Sequence, residues 1–119
     1  MNLNSLLIEL LGRTGLPVEQ DEYSGKENKY ILFVYADETP VQFGNDTVLA
    51  DTAFLQIQLY TPKEFNYFAL KKQIRNLLEG ADFLVQSTRS FLGDEYTGTE
   101  KIRHTVFEAS YTAHRSEED

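Results

Sequence analysis

The sequence predicts an α+β domain, an antiparallel or mixed sheet of about five strands with two helices packed on one face. Three observations carry this. Apolar residues alternate with period two through Leu55, Ile57 and Leu59, and again through Phe107, Ala109 and Tyr111. They recur at spacings of three and four over Leu3, Leu6, Leu7, Leu10 and Leu11 and over Tyr67, Leu70, Ile74, Leu77 and Leu78. The resulting order is helix, strand, strand, long connection, strand, helix, strand, strand, which favours helices gathered on one side of a single sheet. With 119 residues the chain is expected to be one domain over residues 1–114, closed by a polar acidic tail over 115–119.

The first stripe predicts a helix of about two turns, with Asn2 or Asn4 as a cap and Gly12 or Gly15 as its stop. A helix this short is marginal alone and has to dock. Pro17 to Tyr23 is a short polar strand candidate, and Ser24 to Asn28 a turn cluster leading to a second strand over Lys29 to Tyr35, together a hairpin. That second strand is apolar on both parities, Tyr30, Leu32 and Val34 against Ile31, Phe33 and Tyr35, as expected where both faces are covered. Ala36 to Ala50 contains Pro40, Gly44 and Asn45 among several acids and reads as a long loop.

Leu55 to Gly80 is the organising stretch, a strand running into a helix. Thr61, Pro62 and Glu64 have the form of a capping box with proline at the first helical position, and Gly80 supplies a stop. Phe83 to Ser90 reads as a strand, Phe91 to Glu100 as a hairpin loop, and Lys101 to Ala113 as the last strand, with His104, Val106 and Glu108 on the face opposite Phe107.

Composition excludes several classes of function. Cysteine is absent, which removes disulfides, thiolate catalysis and cysteine-ligated metal. The formal charge of -8 argues against nucleic-acid binding as a main function, since phosphate contacts rest on Lys and Arg. No apolar run approaches a membrane span, and the start of the sequence lacks the pattern of a secretory signal, so the expectation is synthesis in a cytoplasm. His104 and His114 lie ten residues apart, roughly 33 Å if extended, too far for one metal ion. No Gly-x-Ser-x-Gly elbow and no phosphate loop occurs. Gly12-Arg13-Thr14-Gly15 has the form of a KH glycine loop, but it is followed by a β-rich segment and reads better as a helix end. Asp37, Glu38, Asp46 and Asp51 lack the spacing of a calcium loop. An aromatic RNA platform on Tyr30 to Tyr35 runs against the acidic balance. No catalytic residue, metal ligand or cofactor site is therefore expected, and no enzymatic activity. The apolar residues Val41, Phe43, Val48 and Leu49, set in a polar segment, are the candidate interaction residues.

A short leading helix, a polar hairpin, an acidic middle segment, the stretch Asp51 to Pro62 running into the helix, the Gly80 stop and a closing hairpin ending in Phe107 to Tyr111 together resemble the small tail-terminator, or tail-completion, proteins of long-tailed bacteriophages and prophages. The resemblance covers most of the chain and is one of layout and size. It implies a structural protein of the virion tail or neck, made in the bacterial cytoplasm. Such proteins form a homo-oligomeric ring, usually of six copies, that caps the tail-tube protein, stops its polymerisation and joins the tail to the head connector. DNA would pass through the ring without sequence-specific binding, and no membrane is involved. The alternatives are a connector or adaptor of another neck layer, a small monomeric binding domain, or a metal-dependent enzyme.

Overall fold

The computed structural model describes residues 3–43, 47–97 and 100–114, with side-chain surroundings for 3–36, 52–93 and 101–112. The elements are α1 (Leu3–Gly12), β1 (Val18–Gln20), β2 (Tyr30–Phe43), β3 (Thr47–Pro62), α2 (Phe68–Gly80), β4 (Leu84–Thr97) and β5 (Glu100–His114). They build a five-stranded mixed sheet in the order β1-β2-β3-β5-β4 with two helices, an α+β fold.

Period-two alternation decides which face each strand buries. Ile31 pairs with Leu59, Phe33 with Ile57, and Ile57 in turn with Phe107, so these side chains share one face. Leu7, Leu10 and Leu11 of α1 and Ile74 and Leu78 of α2 pack onto that face and form one core with them. The helix stripes are those the spacing predicts. Asn4 anchors α1 sideways: its amide donates to Gln20 on β1 at 3.0 Å, and its carbonyl oxygen accepts from the Tyr35 hydroxyl on β2.

Four expectations are corrected. β1 does not form a hairpin with β2; the two are parallel, with Val18 opposite Ile31 and Gln20 opposite Phe33. Residues 21–29 carry the chain back over three residue pairs, a distance short enough for a loop to span without a crossover helix. Tyr23 holds that loop. Its ring stacks on Tyr30 at 4.2 Å, its hydroxyl accepts the Glu27 N–H at 2.9 Å, and a Cβ on Gly25 would come within 2.2 Å of that hydroxyl.

The capping box is not used. Thr61 and Pro62 end β3 opposite Arg103 and Ile102, and the Lys63 N–H donates to the Lys101 carbonyl at 2.9 Å. The Thr61 hydroxyl is buried without a hydrogen-bond partner, so β5 pairing displaces the predicted helix start to Phe68. Tyr67 is the N-cap and gives no side-chain cap; Asn66 Oδ1 accepts from the Phe68 N–H at 3.2 Å. At the other end the left-handed residue is Asp82, φ 70°, two positions past Gly80.

The expected loop over Ala36 to Ala50 is instead a β-hairpin, with ladder pairs from Asp37–Phe54 to Phe43–Thr47. Pro40 is compatible with it because, among the described residues, no strand pairs with β2 on its outer side there, β1 reaching only Phe33. Gly44, Asn45 and Asp46 lie outside the described residues. The expected loop from Phe91 is likewise strand as far as Thr97.

The strand apolar on both parities is covered by helices on one side only. Leu32 and Val106, on the face without helices, are still only 6% exposed, screened by neighbours on the same sheet face rather than by a second layer.

Candidate functional site

The two hairpins point to opposite ends of the sheet. β3 and β5 are antiparallel, with Ala50 opposite His114 and Pro62 opposite Ile102, so the β2–β3 turn leaves one end and the β4–β5 turn the other. Among the described residues, the core cluster reaches Leu55 at this end, with the partly buried Tyr35 and Tyr111 packed against it. A bulge between Tyr35 and Asp37 falls at the same level, where the added twist bends β2 as it leaves the helices. Beyond it β2 and β3 continue as an arm. The molecule measures 58 × 24 × 22 Å with a radius of gyration of 16.0 Å, against about 13.5 Å for a compact chain of this length.

Val41 and Phe43 lie on β2 and Val48 and Leu49 on β3, all in this arm. In the backbone register Val41 is opposite Ala50 and Phe43 opposite Thr47, while the shift after Val41 leaves Leu49 without a partner on β2. The fold thus gathers the four predicted interaction residues onto one hairpin. Their side chains lie outside the described part, as does the tail over 115–119.

The opposite end holds a feature that sequence reasoning missed. Phe65, Tyr67 and Phe68 follow β3 closely, and cations sit on their rings: Lys29 Nζ is 4.6 Å from the centre of Phe65, Arg103 4.9 Å and Lys71 6.0 Å from that of Tyr67. Tyr67 and Phe68 stack at 4.8 Å. Phe68 is 65% exposed and Leu92, opposite Arg103 in the β4–β5 ladder, 39%. Three aromatics within four residues are the available signal, of which the predicted helix stripe takes only Tyr67.

An aromatic row crosses the face without helices, from Tyr23 through Tyr30, Tyr60 and His104 to Phe91, with ring centres 4.2 to 5.2 Å apart. Both faces of Tyr30 are occupied, by Tyr23 and by Tyr60, so the platform considered for RNA bases has no free stacking face there. The row acts as a cross-strand brace. The glycine segment Gly12 to Gly15 is a helix-terminal turn, with Gly15 at φ 84° and Thr14 Oγ1 donating to the Leu11 carbonyl at 2.8 Å.

Among the described residues no three His, Asp or Glu side chains converge as metal ligands, and no helix is long and apolar enough to cross a membrane. Two shallow depressions lie on the helix layer; the one between α1 and α2, floored by Leu6, Leu10 and Leu77, has a volume of about 300 Å³. No protein-family model matches the sequence, and the search of curated proteins found no match.

Proposed function

We propose that the chain is a structural subunit that caps the tail tube of a long-tailed bacteriophage or prophage as a ring of copies, usually six. In that role it stops tube polymerisation and presents a surface to the head connector. The observation that carries this reading is the β2–β3 arm, a paired hairpin that continues past Tyr35 and Leu55 and has Val41, Phe43, Val48 and Leu49 on its two strands. A paired hairpin of this kind offers a contact element to a neighbour or to the tube. Two strand edges add to the support. Among the described residues β4 pairs only with β5, and β2 beyond Phe33 only with β3, leaving main-chain groups available for assembly. The acidic balance suits a channel through which DNA slides without sticking. Catalysis forms no part of the proposed role.

The test is assembly of purified tail-tube protein with and without this chain. A sub-stoichiometric amount should shorten the tubes and appear at one end of each. Tubes whose length distribution is unchanged by a molar excess would sink the proposal.

A further inference from the structure

A sheet in the order β1-β2-β3-β5-β4 ends in two edge strands, and the two are finished differently. β1 is three residues long, and Gln20 on it accepts a hydrogen bond from Asn4 of α1 at 3.0 Å. So short an edge gives a second strand little to pair with. β4 is long, and its ladder against β5 runs without interruption from Ser87, opposite Glu108, to Leu92, opposite Arg103. Register shifts bound this run at Val85/Ser87 and Leu92/Tyr96. Inside it there is no proline, lysine or carboxylate, and Arg89 is the single charge between Asp82 and Asp94 in a chain of formal charge -8. Three of the five exposed large apolar side chains among the described residues are on this strand: Leu84 at 63%, Phe91 at 44% and Leu92 at 39%. An open edge with apolar side chains and no charge barrier is a template for another strand.

The alternation of β4 shows which strand fits it. Thr88, Ser90 and Leu92 share the helix-covered face with Phe107, Thr105 and Arg103, while Arg89 and Phe91 share the other face with Val106 and His104. A two-fold axis perpendicular to the sheet keeps each face on its own side, and opposed residues of antiparallel strands share a face. A residue near the middle of the run must therefore meet its own copy. Centring on Arg89 would set two guanidinium groups against each other, which is destabilising. Centring on Ser90 puts two small side chains at the axis. It sets Arg89 opposite Phe91 of the second copy, and Thr88 opposite Leu92, each pair occurring twice. Guanidinium against ring is a favourable cross-strand pair. We infer that β4 of one copy pairs antiparallel with β4 of a second copy, centred on Ser90, making one continuous sheet with the helices of both copies on the same side. An extended peptide from another protein would use the same main-chain groups, but the self-complementary order of Arg89, Ser90 and Phe91 is particular to a second copy. A two-fold contact closes on two copies, so it is not the contact around a six-membered ring and does not depend on that reading.

The absence of cysteine from the chain makes a crosslinking test specific. In the inferred register the two Ser90 residues are directly opposed, with Cα atoms about 4.5–5.5 Å apart, within reach of a disulfide. Under mild oxidation Ser90→Cys should give a covalent dimer. Gln86→Cys should not, because its two copies would lie roughly 26 Å apart along the strands. Sedimentation equilibrium of the wild-type chain at several hundred micromolar should show a dimer. Phe91→Lys, which sets a lysine opposite Arg89, should weaken the dimer by roughly tenfold or more. Adding Arg89→Glu to that variant should restore it, which also shows that the single variant folds. Three results would overturn the inference: a wild-type chain that stays monomeric with equal crosslinking at positions 86 and 90, a dimer indifferent to Phe91→Lys, or loss in that variant without recovery in the double variant, which assigns the edge to another partner. Tube capping is read separately, so a dimer through β4 with no effect of the chain on tubes would refute the tail reading and leave this contact standing.

Discussion

The helix-covered body and the β2–β3 arm are made from the same two strands and gain their order in different ways. In the body, β2 and β3 contribute Ile31, Phe33, Leu55, Ile57 and Leu59, each 2% exposed or less, to a core closed by both helices. Past Tyr35 and Leu55 the ladder continues through Asp37–Phe54 to Phe43–Thr47, and the last buried apolar residue described along it is Ala53. The arm is described by its backbone pairing.

The largest expected effects lie in the body. Phe107 and Ile74 are fully buried, and truncation there removes transfer energy and leaves a cavity. Phe107→Ala should cost roughly 3–5 kcal/mol and Ile74→Ala roughly 2–5 kcal/mol in urea titrations. Equal stability of the Ile74 variant and wild type would mean that α2 presents another face to the sheet. At the small end, Arg75 is half-exposed and bonds Glu79 at 3.4 Å one helical turn away, so Arg75→Ala should cost less than about 0.5 kcal/mol. A loss there as large as at Ile74 would blur the distinction between buried stripe and solvated face on which the body is described.

The body was legible because its signals repeat. Leu55, Ile57 and Leu59 or Leu70, Ile74 and Leu78 agree over several turns or pairs, and burial follows periodicity. The failures are local signals overruled by long-range pairing. Thr61, Pro62 and Glu64 have the residue types of a helix start, but β5 claims the backbone as far as Lys63. Three residues of β1 carry no period, so nothing in Val18 to Gln20 distinguishes a parallel partner from a hairpin. Pro40, Gly44 and Asn45 gave Ala36 to Ala50 the composition of a loop, although Gly-Asn between apolar runs also suits a hairpin turn and Pro40 sits on an open edge. Of the candidate site, the apolar residues of the arm were readable as anomalies in a polar segment. The aromatic and cationic cluster at the opposite end was not, because its rings come from residues 65–68 while its cations come from Lys29, Lys71 and Arg103, a set that only the fold assembles.

Amide hydrogen exchange on the isolated full chain compares the two regions in one experiment. Local opening frees an element whose ladder lacks a packed layer at less than the global unfolding cost, whereas core strands exchange only with the whole domain. The account predicts that the hydrogen-bonded amides of β3 and β5 near Ile57 and Phe107 exchange at the global rate, and that those of residues 38–43 and 47–49 exchange faster and become protected when the chain assembles on the tube. Arm amides as strongly protected in the monomer as those around Ile57 would contradict it, and would make the arm part of the domain's own stable fold.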